Sequence, residues 1–257
     1  MNDEARALLP ESVRSSGSLQ VGGETSQPPY LQTVDGEITG VEADFIVAVA
    51  QKLGLRPEMT NTKFVSMVPG LLSGRFDVVM GNFSDTVARQ QQIDFVDYAA
   101  SKQTFVVQQG NPTGISTFEE LCGHSVAGPI GSKSIMAVDA QSDKCEESGR
   151  SAIEINSFPT VADAQLALYN GRVNTVPVEY ALARAQVRAS GSELQMVDTF
   201  YGAGLNGVGI RKGETGLSQA IVIAMTTLMK DGTYQKILDH WELSEMAIPE
   251  PTVNGAK

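Results

Sequence analysis

At 257 residues the chain is long enough for one large domain or two of moderate size. A hydrophobic content of 42% and a charged content of 19% are those of a globular protein with a sizeable core. The net charge of -11 excludes a basic nucleic-acid face and attraction to an anionic membrane surface, but not a small ligand held by the local field of a cleft.

No apolar run approaches the roughly 18 residues of a membrane span, the longest being 220–225. The start, Met1-Asn2-Asp3-Glu4, has neither a basic nor an apolar segment. The chain is therefore expected either to be cytosolic or to be the mature part of an exported protein whose signal segment was removed. Cys122 and Cys145 have 22 residues between them. A disulfide closing that loop is worth roughly 3 kcal/mol in the chain-entropy picture; two buried free thiols are the alternative. A zinc site is not expected, because His240 is far from Cys122 and His124 and no CxxC occurs.

In chain order, residues 1–17 read as a polar arm or short helix and 19–23 as a strand. The stretch 24–30 is a loop, its Pro28-Pro29 pair barring regular structure. Asp35-Gly36 signals a turn. Val41, Phe45, Val49 and Leu53 recur every four residues, with Ile46 and Ala48 beside them, which predicts an amphipathic helix over 41–53 stopped by Gly54. A strand over 55–59 and a helix over 64–72, irregular at Pro69, follow. The apolar run 76–80 reads as a buried strand. It opens into Gly81-Asn82-Phe83-Ser84-Asp85-Thr86-Val87-Ala88-Arg89, and Gln90-Gln91-Gln92 reads as the body of a helix. Ser84, Asp85 and Thr86 are N-cap types. A helix start attracts an anion, and Arg89, one turn in, offers a two-pronged guanidinium suited to a carboxylate. A capped helix with a surface arginine is the plain alternative.

An internal echo links Leu72-Ser73-Gly74-Arg75-Phe76-Asp77-Val78-Val79 to Tyr169-Asn170-Gly171-Arg172-Val173-Asn174-Thr175-Val176. Both read as helix end, glycine cap, arginine, then short strand. The first exit carries Ser84 and Arg89; the second carries Glu179. Two similar α/β units are expected, with ligand groups off the carboxyl ends of their strands. Between the echoes, 101–109 reads as extended, Asn111-Pro112 as a turn, 116–121 as a short capped helix and 125–128 as a strand. That strand leads into a loop, 129–134. Short strands are expected at 151–155 and 195–197. The glycine-rich 202–210 reads as extended chain crossing back to the first unit. It is not a phosphate loop, since neither GxGxxG opening a helix nor GK[ST] is present. Leu217, Ile221, Met225 and Leu228 define a helix stopped at Asp231-Gly232. Tyr234, Ile237, Leu238 and Trp241 belong to a last helix, all as core positions.

The order and spacing of further runs resemble a known family, the extracytoplasmic solute-binding proteins of polar-amino-acid ABC importers (family 3). The runs are Pro28-Pro29, Gly40-Val41-Glu42-Ala43-Asp44, Gly70 to Asp77, Phe83-Ser84-Asp85-Thr86 with Arg89, Asp94-Phe95-Val96, Gly171-Arg172-Val173-Asn174, and Lys230-Asp231-Gly232-Thr233-Tyr234 with Trp241. Leu121-Cys122-Gly123 and Val253-Asn254-Gly255 are most similar to the actinobacterial lipoprotein branch. The resemblance implies an α/β, type II periplasmic-binding-protein-like fold. Its first lobe would comprise 1–102 and 204–257, its second 103–203, with a two-strand hinge near 99–103 and 203–207.

The resemblance further implies capture of an amino acid or similar zwitterion for an ABC permease, outside the cytoplasm, by a monomer with no cofactor and no metal. The signal segment would be absent, and membrane contact would come only through a removed or lipidated N-terminus. Arg89 would grip the α-carboxylate with the backbone at Ser84 and the Ser132–Lys133 loop. The backbone at Asn82, the Ser84 hydroxyl and Glu179 would hold the α-ammonium. Phe64 would be an apolar wall, and Glu24 would meet a distal cation. The sequence departs from the family where Gln27 replaces a stacking aromatic, where Glu24 and Glu179 are longer acids, at Asn174, and at Lys133. Two rival readings are a cyclohexadienyl-type dehydratase and the ligand-binding domain of a sensor. The first needs a general acid, for which Glu179 is the sole candidate; Leu182 stands where those enzymes resemble one another in carrying a glutamate. No Ser-His-Asp set is available with two histidines.

Overall fold

In the computed structural model, which describes residues 1–257, the N-terminal stretch forms two short helices, α1 (Asp3–Ala7) and α2 (Glu11–Ser16). The strand β1 (Ser18–Gly23) follows. The stretch expected to lack regular structure contains a two-residue strand, β2 (Ser26–Gln27), because the prolines remove donors only at 28 and 29. A hairpin of β3 (Leu31–Val34) and β4 (Glu37–Thr39) turns at Asp35 and Gly36. The helix α3 (Val41–Leu53) has the expected bounds and buries Val41, Phe45, Ile46, Val49 and Leu53. Gly54 closes it at φ 66, its N–H reaching the carbonyls of Ala50 and Gln51.

Then come β5 (Arg56–Asn61), α4 (Phe64–Leu72), which continues through Pro69, and β6 (Val78–Met80). The glutamine run corrects the sequence reading. The helix there, α5 (Val87–Gln90), is a single turn, and β7 (Ile93–Gln108) starts three residues later. The buried residues Ile93, Phe95, Phe105 and Val107 take the chain into a sheet, and Gln91 and Gln92 are left between.

A 3₁₀ turn at Glu119–Leu121 is tied by Glu120, whose carboxylate accepts from the N–H groups of Ser116 and Thr117 at 2.7 and 2.8 Å. The strand β8 (Ser125–Pro129) leads into α6 (Lys133–Glu147), so the expected loop 129–134 already contains a helix start. Its buried stripe, Ile135, Val138, Gln141 and Cys145, is too polar to show as a hydrophobic period. The chain continues through β9 (Glu154–Phe158), α7 (Val161–Tyr169), β10 (Thr175–Glu179), α8 (Tyr180–Ala189), β11 (Leu194–Met196), β12 (Tyr201–Arg211), α9 (Thr215–Lys230), α10 (Thr233–His240) and β13 (Thr252–Val253). Of the expected core positions at the end, Ile237 and Trp241 are only half-buried. Trp241 lies just past α10 and donates from Nε1 to Asp44 at 2.7 Å.

Two compact units result: residues 1–25, 29–101 and 204–257, and residues 26–28 with 102–203. In the first, β5, β1 and β6 are parallel, Val21 facing both Met59 and Val78, and β12 runs antiparallel to β6. Its core includes Phe45 with Tyr98 and Tyr234 at 5.4 and 5.3 Å between ring centroids, and a cluster of Met67, Leu71, Phe76, Phe83 and Phe95. In the second, β8 is parallel to β9 and β10, while β10 and β11 are antiparallel to β7. Its core holds Phe105, Val126, Ile135 and Val138, and a disulfide joins Cys122 to Cys145 with a Cα separation of 5.6 Å. The chain has no helix long and apolar enough to cross a membrane.

The echo is one hydrogen-bonded device used in each unit. Gly74 and Gly171 have φ of 76 and 67 and end α4 and α7. The next amides, Arg75 and Arg172, return to the carbonyls of Gly70 and Ala167, both at 2.9 Å. Asp77 then grips Gln20 of β1, its N–H donating to the Gln20 carbonyl and its carboxylate accepting from the Gln20 N–H at 2.8 Å. Asn174 does the same to Ser125 of β8, also at 2.8 Å.

Candidate functional site

In the first unit the site grows from the exit of β6. Gly81 turns at φ 127, where a Cβ would come 3.1 Å from the amide nitrogen of Glu24. Asn82 follows at φ 52. Its N–H lies 3.0 and 3.2 Å from the two carboxylate oxygens of Glu42, a fully buried acid in the first turn of α3. The Tyr98 hydroxyl donates to the same carboxylate, so this buried acid has its partners inside the unit. Asn206, fully buried on β12, donates from Nδ2 to Asn82 Oδ1 at 3.1 Å. The Ser84 hydroxyl donates to Asn206 Oδ1 at 3.2 Å, and Ser84 and Asn206 form a lone antiparallel bridge.

Thr86 caps α5, its hydroxyl accepting from the Arg89 N–H at 3.3 Å. Arg89 turns back, Nη1 donating to the Ser84 carbonyl at 2.6 Å. Its guanidinium carbon lies 5.2 and 4.6 Å from the ring centroids of Phe64 and Phe83. Burial pushes the Arg89 pKa down to about 10, with the Asp85 carboxylate opposing the shift, so the group is cationic at neutral pH. Asp85 accepts from Gln90 Nε2 and from the Ala256 N–H, all at 2.9 Å. Because α5 is one turn long, it offers little of the anion attraction expected of a helix start.

In this unit the fold brings together Asn82, Ser84, Arg89 and Phe64, and it places the buried Glu24 beside Gly81. In the second unit the named residues sit each in its own element. Glu179 is buried at the end of β10 and caps α8, accepting from the N–H groups of Ala181 and Leu182 at 2.7 and 3.3 Å. Ser132 caps α6 through the Ile135 N–H. Lys133 donates from Nζ to the Gly202 carbonyl at 2.8 Å. Gln27 is buried in β2. Asn174 serves β8, as described above.

Glu42, Tyr98 and Asn206, which hold the Asn82–Ser84 loop in place, are residues that sequence reasoning passed over. Glu42 carried one signal, an acid one turn before Ile46 on the buried side of α3. Asn206 carried none: a polar residue in a glycine-rich strand reads as exposed.

Two α/β units, the second inserted into the first, with a caged guanidinium at one strand exit and buried acids at others, are the parts of a binding protein for a small charged solute. The chain belongs to the bacterial extracellular solute-binding proteins, family 3, whose pattern matches residues 19–244. It is 27% identical over 255 residues to the arginine-binding protein ArgT of Corynebacterium glutamicum, covering 98% of this chain and 83% of that one. It is 27% identical over 235 residues to the L-cystine-binding protein TcyJ of Escherichia coli, covering 91% and 85%. An ancestral arginine-binding protein, solved bound to arginine, superposes with a TM-score of 0.81 at 33% identity over 88% of this chain and 98% of its own. The fold is the two-lobed, type II periplasmic-binding-protein fold, and the chain is an extracytoplasmic binding protein rather than an enzyme.

Proposed function

We propose that this protein captures an L-amino acid with a cationic side chain and delivers it to an ABC importer by hinge closure on the ligand. The observation that carries the reading is Arg89, buried against Phe64 and Phe83 and anchored on the Ser84 carbonyl. A guanidinium held between two rings and fixed in orientation matches the planar geometry of a carboxylate in two-pronged fashion. In this reading Arg89 takes the α-carboxylate with the backbone of Ser84 and the amides at Ser132 and Lys133. The Asn82 carbonyl, the Ser84 hydroxyl and the Glu179 carboxylate take the α-ammonium, with Phe64 and Gln27 as walls. Glu24, a buried acid next to Gly81, supports the cationic side chain, as do the relatives named for arginine. The hinge lies near 99–103 and 203–207, with lobes 1–102 plus 204–257 and 103–203. Closure follows from the ligand's higher affinity for the closed form.

A dehydratase reading loses support at Leu182, which offers no acid where those enzymes resemble one another in carrying a glutamate. The monomeric state and attachment through a lipidated N-terminus belong to the same proposal; light scattering and mass spectrometry of the native protein check them.

The test is a thermal-shift and calorimetric panel of amino acids, opines, betaines and polyamines. A true ligand at 100 times its Kd stabilises by about 2.7 kcal/mol. L-Arginine or L-lysine should stand out. Arg89→Ala should remove the shift, because a carboxylate left unpaired in a dry site costs several kcal/mol. Arg89→Lys should recover little of it, since a point charge does not replace the planar fork. Silence across the panel, or unchanged affinity in Arg89→Ala, sinks the reading.

A further inference from the structure

We propose that Asn206 is a positioning residue that decides which sign of charge the Ser84 hydroxyl accepts, and so makes this half of the site demand an α-ammonium. The inference rests on the amino-acid reading above and adds a residue to it.

Asn206 is fully buried on β12, far in sequence from the loop it serves. Its side-chain amide works in one direction. Nδ2 donates to Asn82 Oδ1 at 3.1 Å, and Oδ1 takes the Ser84 Oγ proton at 3.2 Å. A hydroxyl has one proton and two lone pairs. With its proton committed to Asn206, Ser84 Oγ meets any further partner as an acceptor. The main chain of the same residue already holds Arg89, whose Nη1 donates to the Ser84 carbonyl at 2.6 Å. Ser84, only 4% exposed, therefore sets a cation for the carboxylate beside an oxygen that accepts only N–H or O–H donors. An α-amino acid presents that pair of groups on adjacent atoms. A solute with a carboxylate and no neighbouring ammonium leaves the Ser84 lone pairs unmet in a dry place, which is costly.

Without Asn206 the Ser84 proton is free to turn toward the carboxylate, and the distinction between the two solutes fades. Asn206 touches no solute atom in this scheme; it acts through Ser84. Asn82 fixes the sense of the amide, and Asn82 is itself held by Glu42 through its main-chain N–H.

The experiment measures Kd by calorimetry for L-arginine and for 5-guanidinopentanoic acid, which differs only in lacking the α-ammonium. The readout is the ratio of the two constants in the wild type, Asn206→Leu, Asn206→Asp, Ser84→Ala and the Ser84→Ala/Asn206→Leu double variant. The ratio reports on the bound site and is insensitive to the fraction of protein folded. The wild type should prefer L-arginine, and Asn206→Leu should lower that preference by about tenfold or more, the size of a lost hydrogen bond to a charged group. Asn206→Asp, acceptor-only and still able to take the Ser84 proton, should keep the preference at or above wild type. In the Ser84→Ala background, Asn206→Leu should change the ratio no further. Equal weakening of both solutes in Asn206→Leu would mark a merely structural role and overturn the inference. So would a raised preference, or additive effects in the double variant. Absence of L-arginine binding by the wild type overturns the functional reading and this inference with it, whereas wild-type binding with additive effects overturns the inference alone.

Discussion

Asp77 and Asn174 perform one task with different chemistry. Each clamps the backbone of the strand that pairs in parallel with its own, β1 for Asp77 and β8 for Asn174, and only Asp77 brings a charge. Burial raises the Asp77 pKa, outweighing the Gln20 N–H and the Arg211 guanidinium that lower it. An acid whose folded pKa is raised costs stability once pH exceeds its unfolded value. Asp77→Asn keeps an acceptor oxygen and drops the charge, as Asn174 already does. Its Tm at pH 7 should equal or slightly exceed that of the wild type, with the gain vanishing as pH falls below the ordinary carboxylate range. A loss at pH 7 would show that the carboxylate itself is required. Arg89 and Ser84 were legible in the sequence because a capping run followed by arginine has a local meaning. Glu42, Tyr98 and Asn206 were not, because their meaning is their partners, and those lie 40 or more residues away.

At the scale of elements, α3 was readable to the residue, since period and stop are both local. Its N-cap is less ordinary. Gly40 adopts φ 134, and a Cβ there would land on the Tyr30 carbonyl oxygen. Gly40→Ala should therefore destabilise by about 3 kcal/mol or more, from backbone strain and overlap together. It should also weaken ligand binding in the fraction that folds, because Glu42, two residues on, positions Asn82. Urea melts with and without ligand check both effects; a stable Gly40→Ala variant with wild-type affinity would refute them. The α5 and α6 misreadings have one cause. Three glutamines read as helix while the burial of β7 claims the chain, and α6, whose first two residues fall in the expected loop 129–134, shows no helix period because its buried face includes Gln141 and a disulfide cysteine. Tertiary contacts outweigh local propensity by several-fold in such segments.

At the scale of the molecule, Asp97 ties β7 to the C-terminal segment. Its carboxylate accepts from Thr252 Oγ1 and the Gly255 N–H, both at 2.9 Å, while the Asp85 carboxylate lies beside it. Burial and then the charge of Asp85 push its pKa up to about 6 from 3.8. Between those values the folded chain holds a proton that the unfolded chain has released. Stability therefore falls as pH rises from about 4 to about 6, by at most roughly 3 kcal/mol from this group, and is flat above. Asp97→Asn should flatten the slope of Tm against pH in that window, and an unchanged slope would remove Asp97 from the account. The site loop shares this arrangement through Asp85, whose N–H donates to the Leu205 carbonyl and whose carboxylate holds Ala256.

By itself the sequence determined what nearest neighbours along the chain can encode: the 41–53 and 64–72 helices, the glycine stops, the repeated helix-to-strand turn and the capping run that ends in Arg89. Spacings of two and of three to four residues carry that information, because strand and helix periods are short. It could not show which polar residues face inward. Only the tertiary structure decided that the Ser84 proton goes to Asn206, that Glu42 and Tyr98 hold Asn82, and that Glu179 closes a helix end. A buried hydrogen bond needs its partner, and in each of the first two cases the chain delivers that partner from a distant strand or helix.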